Sequence, residues 1–336
     1  MKQTLLLLGC LAIVSFLQAQ TLKVEGELFS LDGKPFDMWG VRVASASQTE
    51  KYTQSLIANL DDYKASGINC ISVFLQGSSG GYSDPFEKGG LSIDIAHFNR
   101  ISRIIEACAK RDMVVIAGIF YQRTIRNPKV CNLKTETDIR NAVVTATKLL
   151  KPYKNVILNI ANEQNSTNYN AFKGFDFNNP ENIVMLCKLA KNIDPERIVG
   201  GGGYHDSSNV LIGKSEHVDV LLFDTFDDDV AKGHSSGWHF NYFKNEGVPF
   251  KPIVNVEIFG GWTQKFIPQG VYTDDGKDQH FIEIEDAKTI PGLYVHFHSN
   301  PWFQGVAQKF ENHFDLGGDG SSENPGVRWF FENLTR

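Results

Sequence analysis

Two kinds of segment alternate along this chain. Short, almost wholly apolar runs are followed by longer stretches whose apolar residues recur at helical spacing. The runs are Trp39–Val43, Ile68–Leu75, Met113–Tyr121, Val156–Ala161, Arg197–Gly203, Val218–Phe223, Ile253–Val256 and Leu293–His298. Runs of this length without polar alternation suit parallel strands buried on both faces. The stretches between them predict helices. Glu50–Ser66 places Leu56, Ile57, Leu60 and Tyr63 on one stripe, and a helix capped by Asp94 and running to Lys110 turns Phe98, Ile101, Ile104 and Ile105 inward. Further helices are expected over Thr135–Leu150, from Asn179-Pro180 to Asn192, and over Trp238–Asn245, Ile282–Ile290 and Val327–Leu334. Asn179 before Pro180 is a strong helix start, a capping residue followed by proline in the first turn. Ahead of the series, Leu22–Phe29 and Pro35–Trp39 flank Asp32-Gly33, a hairpin turn signal. Eight strand–helix units in one unbroken series predict an α/β fold, a single (β/α)8 TIM barrel with an N-terminal β-hairpin. A doubly wound open sheet is the alternative. Gly200–Gly203 lacks both the glycine spacing and the Lys-Ser/Thr ending of the phosphate loop such a sheet would carry.

Two connections are too long to be plain links: the Gly- and Ser-rich stretch Gln76–Leu91, and the polar and aromatic stretch Phe259–Phe281. Loops of that length are usually functional or disordered. Met1-Lys2 followed by the apolar Leu5–Leu17 reads as a signal peptide with cleavage after Ala19, which makes 1–19 a leader, 20–336 the barrel domain, and the protein secreted or periplasmic. Leu7-Leu8-Gly9-Cys10 mimics a lipoprotein box, but the apolar run continues past Cys10, so a lipid-anchored surface protein is the lesser reading. No later stretch is long and apolar enough to span a bilayer. The remaining cysteines, Cys70, Cys108, Cys131 and Cys187, read as buried thiols, and their spacing is not that of a zinc site. A net charge of −6 without a basic cluster argues against a nucleic-acid or anionic-membrane partner. A monomer is expected.

The chemistry lies in two runs that end alike. Asn155–Ala161 leads into Asn162-Glu163, and Lys251–Val256 leads into Glu257. Each delivers a carboxylate to the C-terminal edge of a strand, where barrel enzymes assemble their sites. Either glutamate alone reads as a solvated strand end. Together, on the fourth and seventh strands, they supply the two carboxyl groups that cleavage of a glycosidic bond requires, ~5–5.5 Å apart in a retaining enzyme.

With these residues the chain resembles the clan A glycoside hydrolases, most closely the family 5, cellulase-like group. The matching features are Asn162-Glu163 after strand four, Glu257 after strand seven, the opening Gly33-Lys34-Pro35-Phe36 with Trp39-Gly40-Val41, and Gly67-Ile68-Asn69. The resemblance implies Glu163 as acid/base, Glu257 as nucleophile, and Asn162 as the holder of a sugar 2-hydroxyl. The chain departs from the family in two places. Ser72 stands where strand two carries arginine, and Phe223-Asp224-Thr225-Phe226 replaces the His-x-Tyr of strand six. Arg42, at the end of strand one, is the candidate replacement for the missing arginine.

Around the pair, Tyr121 after strand three, His205 after strand five and His298 on strand eight are candidate hydrogen-bonders for sugar hydroxyls. Trp262 and Trp302 are candidate stacking platforms. Each also has a plain structural reading. His296 and His298 share a strand face, but no third ligand completes a metal set, so neither metal nor cofactor is expected. Asp227-Asp228-Asp229 lacks calcium-loop spacing and reads as a solvated acidic loop. No Gly-x-Ser-x-Gly elbow supports Ser-His-Asp hydrolysis. The expectation is a secreted retaining β-glycosidase acting on a β-linked polysaccharide or its oligosaccharides. Its rival is a non-catalytic glycan-binding protein on a lapsed barrel.

Overall fold

Apolar runs of this kind must be covered on both faces, and the chain achieves this by closing a barrel. The computed structural model describes residues 20–77, 84–261, 269–304 and 311–334. The expected leader, 1–19, and Trp262 lie outside them. Three short strands come first: β1 (Leu22–Glu25), β2 (Leu28–Leu31) and β3 (Lys34–Phe36). The barrel strands are β4 (Trp39–Arg42), β5 (Cys70–Phe74), β6 (Val114–Phe120), β7 (Val156–Ala161), β8 (Ile198–Gly201), β9 (Val220–Asp224), β10 (Ile253–Glu257) and β11 (Leu293–Phe297). They pair in parallel, each with its sequence neighbours, and β11 pairs with β4 to close the ring.

The helices are α1 (Glu50–Ala65), α2 (Ile95–Ala109), α3 (Gln122–Ile125), α4 (Glu136–Leu150), α5 (Pro180–Ile193), α6 (Asp206–Gly213), α7 (Asp227–Lys232), α8 (Ser236–Asn245), α9 (Asp274–Thr289), α10 (Asn300–Phe303) and α11 (Arg328–Glu332). Their starts follow the side-chain caps in the sequence. Asp94 accepts from the His97 amide, Thr135 and Asp138 form a capping box, and Asn179 accepts from the Glu181 amide.

The expected N-terminal hairpin is present, β2 and β3 joined at Asp32-Gly33, and Gly26 at φ 68° divides its first arm so that β1 adds a third strand. The stretch Phe259–Phe281 is not one long loop. Helix α9 already begins at Asp274, where Thr273 accepts from the Gly276 amide, and the polar content of the segment hid it. Helix α6 was not foreseen, because it has only eight residues.

The strand side chains sort into two cores. Cys70, Val114, Ile116, Ile157, Ile198, Val220, Leu222, Val254, Val256 and Tyr294 pack with Leu22, Phe29, Leu31, Phe36 and Met38 of the N-terminal segment. The small sheet is therefore the plug that closes the lower, N-terminal end of the barrel. The alternate strand residues, such as Val41, Ile71, Val115, Leu158, Val199, Leu221 and Ile253, pack outward with the helices. Cys70, Cys108, Cys131 and Cys187 are buried free thiols. No described helix is long and apolar enough to cross a membrane.

At the lower end, Arg197 ties several elements together. Its guanidinium donates to the carbonyls of Leu150 at 2.7 Å, and of Tyr153 and Val156 at 2.8 Å each. It also pairs with buried Asp194 at 3.4 Å. Arg197→Ala would leave a buried carboxylate and three carbonyls without their donor. The expected loss of stability is about 3–5 kcal/mol, measured by urea unfolding. Turnover per folded molecule should not change, because the lower face of a barrel serves stability rather than chemistry. Unchanged unfolding with depressed turnover would contradict this division.

Candidate active site

Strand ends carry side chains to the upper mouth only if the backbone points them there. On β10, Val254 and Val256 face the barrel interior. Strict alternation would send Glu257 outward. Instead the ladder to β9 shifts register between Asn255 and Glu257, so that Glu257 lies opposite Asp224 and turns in. The Asn255 side chain holds this irregularity. Its Oδ1 accepts from the Glu257 amide at 3.2 Å, and its Nδ2 donates to Thr225 Oγ1 and Ser236 Oγ at 2.9 and 2.8 Å.

Glu163 follows β7 and is reoriented by a different device, a left-handed backbone at φ 44°. Such a conformation is costly for a residue with a Cβ, and surrounding structure must impose it. The Ser166 amide donates to the Glu163 carbonyl at 2.7 Å, and the Gln164 amide donates to the Gly202 carbonyl at 3.2 Å. The glycine run makes this approach feasible. A Cβ on Gly202 would stand 1.8 Å from the Leu222 carbonyl oxygen, and one on Gly203 would stand 1.9 Å from Asn165 Oδ1. Gly202 and Gly203, the last two of the four glycines that make this a weak strand in the sequence, therefore let the Glu163 loop seat beside the end of β8.

Between the two glutamates lies Arg42, fully buried at the end of β4. Its guanidinium pairs with Glu257 at 2.8 Å, donates to Asn162 Oδ1 at 2.6 Å and to the Tyr121 hydroxyl at 3.2 Å, and stands 3.9 Å from Asp224. Phe74 and Tyr121 cover its faces with ring centroids at 5.0 and 5.7 Å. Burial alone would lower the Arg42 pKa, but Glu257, Tyr121, Asp224 and Glu163 outweigh it and raise it above the ordinary arginine value.

Asn162 donates to Gln122 Oε1 at 2.9 Å, and Gln122 in turn donates to Glu163 Oε2 at 2.7 Å. Arg42, Asn162, Gln122 and Glu163 thus form one hydrogen-bonded chain. Glu163 is half-buried. Burial first, and then the charge of Glu257, push its carboxyl up to about 7, with Arg42 opposing. Asp224 is held well above the usual carboxylate range, again by burial and then by Glu257.

The remaining candidates divide. His298 lies 3.6 Å from Glu257 Oε1, and its Nε2 is in contact with Asn300 and Gln304. Burial drives its pKa down to about 4, so it stands as neutral imidazole at neutral pH. His296 faces the same interior but meets Ser72 Oγ at 2.9 Å, which accounts for the serine in place of the family arginine. Neither histidine belongs to a metal-binding group among the described residues. His205 is exposed, precedes α6 without a side-chain capping bond, and touches Tyr204 rather than the carboxylates. Tyr204 is the aromatic residue that stands near Glu163 on that side.

Trp302 requires a correction. It is 6% exposed, donates to the Asp315 carbonyl at 2.9 Å, and stacks on His313 at 4.1 Å. It packs beneath the upper loops instead of offering an open face to a sugar. The sequence did not single out Asp224, Gln122 or Asn255 as site residues. Only the departure from His-x-Tyr at strand six pointed toward the first.

Residues 29–193 match the family model described as cellulase (glycosyl hydrolase family 5). Solved structures share the fold at low identity. A glycoside hydrolase family 5 protein from Bacteroides vulgatus is 16% identical with a TM-score of 0.60, over 84% of this chain and 62% of its own. The endo-1,4-β-mannanase of Rhizomucor miehei is 15% identical with a TM-score of 0.59, over 83% and 90%. The β-1,4-D-mannanase of Cryptopygus antarcticus is 16% identical with a TM-score of 0.56, over 94% of each chain. No curated protein matches. With its family match running through Asn162-Glu163, this chain is a glycoside hydrolase that resembles the family 5, cellulase-like group.

Proposed function

We propose that the chain is a secreted retaining β-glycosidase that hydrolyses O-glycosyl bonds of a β-linked polysaccharide or its oligosaccharides by double displacement. One observation carries the reading. Two carboxyl groups at one barrel mouth differ in their surroundings: Glu257 is ion-paired with Arg42, while Glu163 is pushed up to about 7 partly by the charge of Glu257. Divergent environments for paired carboxyls are how acid and nucleophile roles are separated. Secretion rests on the Met1–Ala19 leader pattern.

In the first step the Glu257 carboxylate attacks the anomeric carbon while Glu163 gives its proton to the departing glycosidic oxygen. The resulting ester removes the negative charge at Glu257. That charge is the second largest cause of the raised Glu163 pKa, and Arg42 still acts to lower it, so Glu163 becomes more acidic. It is then suited to take a proton from the water that attacks the anomeric carbon and releases Glu257. His298, neutral and 3.6 Å from Glu257, and Asp224 Oδ1, without a hydrogen-bond partner among the described residues, are the groups we assign to meet sugar hydroxyls on binding. Asn162 keeps one Nδ2 hydrogen beyond its bond to Gln122, which fits contact with a 2-hydroxyl. A purely binding protein has no need of such coupled carboxyls.

Glu257→Gln is expected to lower kcat at least about 10⁴-fold on a natural oligosaccharide while the melting temperature changes little, since the amide keeps the shape but forms no ester. Glu163→Ala should regain turnover with azide or with substrates bearing good leaving groups, which bypass acid assistance. Assays on β-mannan and β-glucan oligosaccharides of defined linkage provide the rates, and wild-type turnover in either variant removes that assignment.

The coupling has its own signature. Activity requires protonated Glu163, so kcat/KM should fall as pH rises through about 7. In Glu257→Gln the neighbouring negative charge is gone while burial and Arg42 remain, so the Glu163 pKa should drop below its wild-type value. Carbon-13 titration of labelled glutamate reads this directly. A Glu163 titration identical in both proteins would show that the two carboxyls do not interact.

A further inference from the structure

Beside the carbohydrate site, the connection from β9 to α8 gathers a second group of polar side chains that the proposed reaction does not use. Asp229 on α7, His234 after it and His239 on α8 bring one ligand atom each to within 4.8 Å of one another. His239 is 3% exposed, and its Nε2 has no hydrogen-bond partner among the described residues. That nitrogen points toward Asp229 Oδ1 at 3.7 Å, too far for a hydrogen bond. The opposite ring nitrogen, Nδ1, meets Asp206 Oδ1 at 2.8 Å. A carboxylate on the far nitrogen of an imidazole is the usual support of a metal-binding histidine, since it fixes the tautomer and turns the near nitrogen's lone pair toward the ion. Asp229 is likewise prepared. Its Oδ2 accepts from the Phe226 amide at 2.8 Å, which leaves Oδ1 facing the gap. The His234 amide donates to the Asp229 carbonyl at 2.8 Å, and its ring stacks on Trp238 with centroids 3.5 Å apart.

We propose that Asp229, His234 and His239 bind a divalent transition-metal ion of the zinc type, with Asp206 orienting His239. Two imidazoles and one carboxylate are the donors of such an ion, whereas calcium and magnesium favour all-oxygen shells. At bond lengths of ~2.0–2.2 Å, tetrahedral donors stand about 3.3–3.6 Å apart, so Asp229 Oδ1 and His239 Nε2, at 3.7 Å, are already near that spacing, and the set as a whole, within 4.8 Å, would close modestly onto the ion. The site departs from the sequence reading, in which Asp229 belonged to a solvated acidic loop and no metal was expected. Its effect on the barrel mouth follows from its position. Thr225 and Ser236, at the two ends of the segment it would clasp, are the two residues that Asn255 holds beside Glu257. The ion would thus fix the segment that seats Glu257. Without metal, burial disfavours a charge on His239, but Asp206 and Asp229 outweigh it and raise its pKa to about 9, so a bridging imidazolium is the competing state.

The test titrates chelator-treated full-length protein with zinc chloride in a calorimeter and follows the melting temperature in parallel. The wild-type chain should bind one zinc ion and melt higher with it, because a ligand that binds only the folded state stabilises it. Calcium and magnesium should do neither. The half-buried His234→Ala should weaken zinc binding by at least about tenfold and abolish the thermal gain, and Asp229→Asn provides the same readout if the alanine variant does not fold. Cobalt(II) should give the intense visible bands of tetrahedral coordination in the wild type and in neither His234→Ala nor Asp229→Asn. Glu257→Gln should bind zinc as the wild type does, which keeps this result separate from any failure of the glycosidase assignment. No zinc bound by the wild type, equal binding by His234→Ala and Asp229→Asn, or loss of zinc in Glu257→Gln instead would each overturn the proposal.

Discussion

The upper mouth of the barrel depends on one buried guanidinium. Arg42 meets Glu257, Asp224, Asn162 and Tyr121 with no exposure to solvent. A single positive charge cannot balance three nearby carboxyl groups, so the cluster must retain protons. The pKa of Glu163 stands at about 7, and that of Asp224 lies well above the carboxylate range. Arg42 sits on the Glu257 side, pairing with that carboxylate at 2.8 Å, while Glu163 on the other side has its pKa raised. Burial of the charges is costly unless they pair, and the uneven pairing gives the two glutamates different surroundings.

The carboxyls reach this cluster through backbone irregularities rather than through regular strand geometry. A register shift on β10 turns Glu257 inward, and a left-handed residue ends β7 at Glu163. Each irregularity is fixed by a neighbour. Asn255 holds the first by side-chain hydrogen bonds to Thr225 and Ser236. The glycines at 202 and 203 permit the second by leaving room for the Leu222 carbonyl and the Asn165 amide. Such deviations concentrate where side chains must be aimed.

Along the barrel axis, the interior changes character. Its lower layers are Val114, Ile157, Ile198, Val220 and Val254, sealed by Leu22, Phe29, Leu31 and Phe36 of the plug. Its upper end holds Arg42, Asp224, His296 and His298. The apolar layers exclude water from below, which strengthens the electrostatic interactions above them. Arg197 secures the lower end by donating to carbonyls at the end of α4 and the start of β7.

The sequence by itself determined the barrel and the acid pair. Eight apolar runs separated by amphipathic helices leave few alternatives, because parallel strands must be covered on both faces. Val156–Ala161 was legible to the residue, as were the caps Asp94 and Asn179, since period and capping chemistry are local properties. Glu163 and Glu257 were visible because each ends such a run, and Arg42 because it ends the first one. Tertiary structure decided the rest. Trp302 looked like a loop platform, yet it is packed on His313, because a loop's sequence does not say which way it folds over the barrel. Asp224, Gln122 and Asn255 act through partners 30 to 41 residues distant or on other strands, and no local spacing encodes those contacts. Asp206, Asp229, His234 and His239 come from three separate helices and a turn. Their convergence is a property of how the helices pack around the barrel, which only closure of the chain in three dimensions fixes.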